Sequence, residues 1–148
     1  MTGRLFFDTN LIVYAMDPED PARRERSAAL IREAMSRGRL VVSPQILNEC
    51  YRVLGRERRF APPTEVARYL SVFYPSCTAP LDLQTHRAAM AIEMRHRLAW
   101  WDCVAVASAL QARCEHFVSE DLNDGQVVET LTVVGPFTPH ARATLALT

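Results

Sequence analysis

The chain has 148 residues with 17 basic and 17 acidic side chains, and every basic one is arginine. Without lysine, a Walker-A phosphate loop, a Schiff-base enzyme and a pyridoxal-phosphate enzyme are excluded. The length suits one domain, residues 1–148, the 49% hydrophobic content is ordinary for a globular protein, and a net charge of zero offers no global attraction to nucleic acid.

Leu5-Phe6-Phe7 predicts a buried strand, with Asp8-Thr9-Asn10 as its exit turn. The breaker Asp17-Pro18-Glu19-Asp20-Pro21 precedes a helix over roughly 22–36 that ends near Gly38. Leu40-Val41-Val42 is a second strand, and Ser43-Pro44 opens a helix whose Ile46, Leu47, Cys50, Val53 and Leu54 form one apolar stripe. Helices follow from Pro62-Pro63 to about Phe73 and from about Leu83 to Arg97. Cys103–Leu110 is apolar except for Ser108, which predicts a helix buried nearly all round. His116-Phe117-Val118 and Leu131–Val134 are strand candidates, and an irregular tail begins at about 136. Short strands alternating with helices predict a parallel sheet in one α/β domain.

Charge is unevenly placed. Residues 22–68 hold eleven Arg against five Glu, a local balance of +6, whereas residues 101–148 carry −4. Solvated helix faces are the ordinary reason for such blocks. Cys50, Cys77, Cys103 and Cys114 lie far apart without a C-x-x-C pair, so reduced thiols are expected. Neither a signal peptide nor a transmembrane run is legible, so a soluble, cytoplasmic protein without a membrane role is expected.

The informative residues are Asp8, Glu49, Asp102 and Asp121. Asp8 follows the first strand and Asp121 follows Phe117-Val118 after Ser119-Glu120; if these strands are parallel, both carboxylates emerge at carboxyl ends, where α/β sheets place their sites. Glu49 lies at the flank of its helix's apolar stripe, and Asp102 heads the most buried helix. Each has a plainer alternative: an Asx turn for Asp8, an N-cap for Asp102, a semi-exposed helix position for Glu49, a surface turn for Asp121. Converging carboxylates repel one another unless something neutralises them, and a hard divalent cation such as Mg²⁺ or Mn²⁺ takes oxygen ligands and activates a water against a phosphodiester.

Asp8-Thr9-Asn10 after an apolar strand, Ser43-Pro44-Gln45 leading to Asn48-Glu49, Trp101-Asp102 opening an Ala/Val-rich helix, and Ser119-Glu120-Asp121-Leu122 after a strand resemble, in that order, a PIN domain. The resemblance runs to about Phe137, and single-domain proteins of this length look like VapC-type toxins of bacterial toxin–antitoxin pairs. It implies a three-layer α/β/α fold around a short central parallel sheet, and a Mg²⁺- or Mn²⁺-dependent endoribonuclease working by metal-activated water. It also implies a cognate antitoxin that reaches into the acidic site, and a homodimer. Carried over by position, Asp8, Glu49, Asp102 and Asp121 would be the catalytic, metal-coordinating acids. Thr9 and Ser119 would be supporting hydroxyls, and Asn10 and Asn48 would order the site. Asp124 ranks after the four: it could hold a water on the metal, or be a turn residue.

Arg52, Arg56, Arg58 and Arg59, which follow Glu49 on its helix and exit, are candidates for holding RNA phosphates. Trp100, Trp101 and Tyr51 could stack bases, but aromatic residues beside a buried helix are expected in the core. His86, His96, His116 and His140 are scattered and receive no role. Two rivals stand beside the nuclease. A phosphoryl-accepting aspartate phosphatase-like enzyme needs the lysine this chain lacks, and a catalytically inactive PIN-fold interaction module would not need intact acids at all four positions.

Overall fold

A computed structural model describes residues 3–147. The strands are β1 (Arg4–Phe7), β2 (Leu40–Val41), β3 (Cys114–Val118), β4 (Val127–Val128) and β5 (Leu131–Val134), in the order β2-β1-β3-β5-β4. All neighbours run parallel except β4 and β5, a hairpin at the edge. Helices α1 (Thr9–Tyr14), α2 (Pro21–Ser36), α3 (Pro44–Tyr51), α4 (Pro63–Ser71), α5 (Leu83–His96), α6 (Trp100–Gln111) and α7 (Ala141–Thr144) cover the two faces as a three-layer α/β/α domain.

Burial on both faces explains why β1 reads as an unbroken apolar run: Leu5, Phe6 and Phe7 have no solvent exposure. Phe6 and Phe117 sit opposite each other in the β1–β3 register and stack with ring centroids 5.2 Å apart. The chain leaves β1 for β2 on one side and returns to β3 on the other, so the carboxyl end of β1 is a topological switch point, the place where open α/β sheets leave a crevice. Asp8 stands there.

Four local expectations are corrected. Asp8-Thr9-Asn10 is no exit turn: Asp8 caps α1, whose six residues are too few to show a periodicity in sequence. The stripe through Val53 and Leu54 continues from α3 not as α-helix but as a π-helix over Arg52–Glu57, where Gly55 weakens the α form. β4 lies outside the expected strands, its two residues carrying little pattern of their own. The tail beyond 136 is ordered, with α7 and the fully buried Leu145 and Leu147 closing the core.

Arg39 shows how the tail is held. Although it belongs to the basic stretch, its side chain is buried, donating from Nε to Gly3 O at 2.7 Å and from Nη1 to Leu145 O at 2.7 Å and Ala146 O at 3.3 Å. Arg39→Met, which keeps the stem but takes the donor from Gly3 O and Leu145 O while Ala146 O keeps Arg37 Nη1 at 2.8 Å, is expected to cost about 1.5–3 kcal/mol in urea unfolding; an unchanged midpoint would show that the tail's other contacts suffice to anchor it.

All four cysteines are free. Among the described residues no helix is long and apolar enough to cross a membrane.

Candidate active site

The site is assembled at the carboxyl ends of β1 and β3. Asp8 extends β1 by one pairing, its amide donating to Val118 O at 3.0 Å. Its Oδ1 accepts the Thr9 amide at 2.8 Å and its Oδ2 accepts the Ser119 hydroxyl at 2.6 Å. Ser119 Oγ in turn accepts the Asp121 amide at 3.0 Å, so one hydroxyl ties the two strand ends together and sets the loop that carries Asp121. Asp102 lies in the first turn of α6, whose N-cap is Ala99, so the plain N-cap reading does not hold for it.

Carboxylate oxygens of Asp8, Asp102 and Asp121 lie within 4.8 Å of one another. Glu49 stands outside this trio but lines the same cleft, a space of about 270 Å³. Ser43, capping α3 through Ile46 N, starts the helix that brings Glu49 there, and Thr9 Oγ1 donates to Glu49 Oε1 at 2.9 Å. The four acids are thus on one cleft.

Electrostatics follow from that crowding. Burial pushes the Asp8 carboxyl up to about 7; the Ser119 and Thr9 hydrogen bonds oppose this, and the charges of Asp121 and Asp102 add to it. Asp102 is also raised, first by burial and then by Asp121 and Glu49. Such a cluster holds protons or cations in preference to remaining bare.

The other predicted residues separate. Asn10 lines the cleft, and both polar atoms of its side chain are buried without a partner. Asn48 is exposed on α3 and borders the adjoining grooves rather than the central cleft. Asp124 is turned to the tail, where Oδ1 accepts the Gly135 amide at 2.8 Å and Oδ2 pairs with His140 Nε2 at 2.9 Å, interactions that hold its carboxyl below the usual range. Arg52 lines the cleft and is paired with Glu57, while Arg58 is paired with Glu19 at 2.9 Å and lies over the Phe60 ring. Arg56 and Arg59 form no ion pair among the described residues and border a separate groove with Tyr51 and Phe60.

Two residues of the cleft carry no assignment in the sequence analysis. Tyr14 lines it and donates to Glu120 Oε1 at 2.7 Å, so the exposed Glu120 is engaged by Tyr14 while its neighbour Asp121 belongs to the trio. Gln45 donates from Nε2 to Trp101 O at 3.0 Å. Its spacing of one helical turn from Glu49 was a readable signal, since such residues share a face. Trp101 corrects an expectation: it is 60% exposed rather than core, whereas Trp100 packs against the core and edge-on to His86.

A family model described as the PIN domain matches residues 5–124. No curated protein matches the sequence. Solved structures with this fold include a toxin–antitoxin complex from Klebsiella pneumoniae (16% identity, TM-score 0.65, covering 90% of this chain and 98% of that one). VapBC2 from Rickettsia felis, bound to a DNA fragment from its promoter, aligns at 11% identity and TM-score 0.61, over 87% of this chain and 96% of that one. VapC20 of Mycobacterium tuberculosis, a sarcin-ricin loop cleaving toxin, aligns at 14% identity and TM-score 0.56, over 76% and 86%.

Proposed function

The chain belongs to the PIN domain family, and on that premise we propose that it is a divalent-metal-dependent endoribonuclease, the toxin of a type II toxin–antitoxin pair. The observation that carries the catalytic reading is the trio Asp8, Asp102 and Asp121 gathered at the switch point of the sheet. The donor set fits the ion: the ligand atoms are all carboxylate oxygens, as Mg²⁺ or Mn²⁺ prefers, and Asn10 leaves two buried polar atoms unpaired on the same cleft. When bound, the ion supplies an activated water and neutralises charge growing on the phosphodiester.

The chain's own residues do the positioning. Asp8, Asp102 and Asp121 would hold the ion, with Glu49 on the wall of the same cleft. Ser119 and the Thr9 amide fix the Asp8 carboxylate, and the Thr9 hydroxyl fixes Glu49, so the acids keep their places when the cleft is charged. Both Asp8 oxygens accept hydrogen bonds, which holds the carboxylate in one orientation with a lone pair of each oxygen left for an ion. None of the four histidines lines the cleft.

The partners in this reading are an RNA substrate, a cognate antitoxin and a second copy of the chain, in the cytoplasm. Support for the antitoxin comes from the toxin–antitoxin complexes among the structural neighbours and from the cleft's acidity, which suits a basic side chain. The deciding experiment is cleavage of RNA by purified protein with Mg²⁺, Mn²⁺ or EDTA. Cleavage with either metal and none with EDTA is expected; metal-independent cleavage overturns the assignment.

Arg56 and Arg59 are free to meet the strand's phosphates, since Arg52 and Arg58 already have acidic partners. Replacing both with alanine is expected to weaken RNA binding and to flatten the dependence of log affinity on log salt by about 0.7 per arginine. An equal loss at every salt concentration would mean they contact no phosphate.

A further inference from the structure

We propose that the side of the cleft between α3 and α6 is a subsite for one unpaired nucleotide, with the Trp101 ring stacking its base and Gln45 Oε1 accepting a hydrogen bond from it. The inference rests on the ribonuclease reading and names the part of the strand that the site grips.

Three observations place it. Trp101 precedes Asp102 and is 60% exposed, although it begins the most apolar helix of the protein. It lines the carboxylate cleft and also an adjoining groove of about 400 Å³ that includes Leu81 and Arg52, so Trp101 stands at the border of the two spaces. Gln45 lines both spaces too. It is 6% exposed, it holds the Trp101 backbone through Nε2, and its Oε1 is buried without a hydrogen-bond partner. A buried acceptor left unpaired destabilises a fold, and a donor brought by a ligand removes that cost.

An unpaired nucleotide supplies what both residues lack. Its base has a π-face for an aromatic ring, and it carries a donor in a base N–H or in the ribose 2′-hydroxyl. The groove is continuous with the carboxylates that would hold the ion, so a base seated there leaves its phosphodiester at the cleft. A base inside a duplex, stacked on both sides, does not offer that face.

The test is the affinity of fluorescein-labelled oligouridine and oligodeoxyuridine, read by anisotropy with Ca²⁺ in place of Mg²⁺, for the wild type, Trp101→Ala, Trp101→Phe and Gln45→Met. Thermal melting checks that each variant is folded. Trp101→Ala is expected to lose roughly 5- to 150-fold in affinity for oligouridine, the range of base–aromatic stacking, and Trp101→Phe to recover most of it. Gln45→Met is expected to lose affinity as well: a loss confined to the ribose strand assigns Oε1 to the 2′-hydroxyl, and an equal loss on both strands assigns it to the base. Unchanged affinity in folded Trp101→Ala overturns the subsite. So does an equal loss in Trp101→Phe and Trp101→Ala, and so does a Trp101→Ala variant that binds RNA normally but no longer binds an arginine-rich peptide, which would give the ring to a protein partner. The ribonuclease reading is decided separately: a wild type that cleaves with metal but is indifferent to Trp101 loses the subsite alone. One that binds oligouridine through Trp101 and cleaves nothing loses the catalytic reading alone.

Discussion

Asp8→Asn and Asp102→Asn are each expected to lower metal-dependent RNA cleavage by about a hundred- to a thousandfold, the equivalent of several kcal/mol of charge stabilisation at roughly 1.4 kcal/mol per factor of ten. The substitutions remove one unit of negative charge and keep the shape. At Asp8 the fold can tolerate this. An Asn Oδ1 still accepts the Thr9 amide, and its Nδ2 can donate to Ser119 Oγ once that hydroxyl turns, while Ser119 goes on accepting the Asp121 amide. At Asp102 the half-buried position in the first turn of α6 makes no side-chain cap that the substitution would break. Initial rates on one RNA, with melting temperatures as a check on folding, decide the matter. Full activity in either variant would remove that carboxylate from the ion site, and full activity in both would remove the site.

The same carboxylates predict a large effect of pH and metal on stability. The metal-free folded protein keeps the Asp8 proton up to about pH 7, whereas an unfolded chain releases it near the ordinary value of 3.8. Between those values the folded state binds the additional proton, so the stability of the metal-free protein falls as pH rises from about 4 to about 7 and levels off above. Asp102, raised for the same reason, adds to the slope in the same direction. On the metal-nuclease reading, Mn²⁺ is expected to compete with those protons. At neutral pH and a hundredfold excess over its dissociation constant, an ion bound only by the folded state contributes about 2.7 kcal/mol, a rise in melting temperature on the order of 5–10 °C. At pH 5 the rise should shrink, and in Asp8→Asn both the pH slope and the metal shift should diminish together. Melting scans across pH, with Mn²⁺ and with EDTA, measure all three. A metal shift that is the same at pH 5 and pH 8, or intact in Asp8→Asn, would place the ion elsewhere.

These two expectations depend on features that the sequence displayed unequally. Asp8 and Asp121 were legible because a strand followed at once by a polar run marks the end of an element, and element ends in α/β proteins are where sites form. Glu49 was legible from helical phase alone. Trp101 was not: a ring next to an apolar helix is usually core, and only the packed α6 shows that Trp100 turns inward while Trp101 remains exposed beside the cleft. Asp124 was ranked after the four, but what holds it was not legible, since its partners Gly135 and His140 belong to a tail whose short helix carries no periodicity. The arginines were legible as a block, yet a block does not reveal which members are already paired with Glu19 and Glu57.

By itself the sequence determined the class of the fold and the exclusion of lysine chemistry and singled out the four acids as candidates, because apolar periodicity and residue type are local properties of a chain. Only the tertiary structure decided that Asp8, Asp102 and Asp121 meet within 4.8 Å while Glu49, on α3, lines the same cleft, that Asp124 stands apart, and that Arg39 is a buried strut rather than part of a basic face. The physical reason is the same in each case. Distances between residues far apart in the chain, and the burial that shifts a carboxyl or hides a guanidinium, are set by how the sheet orders its strands, and strand order is written in no single segment.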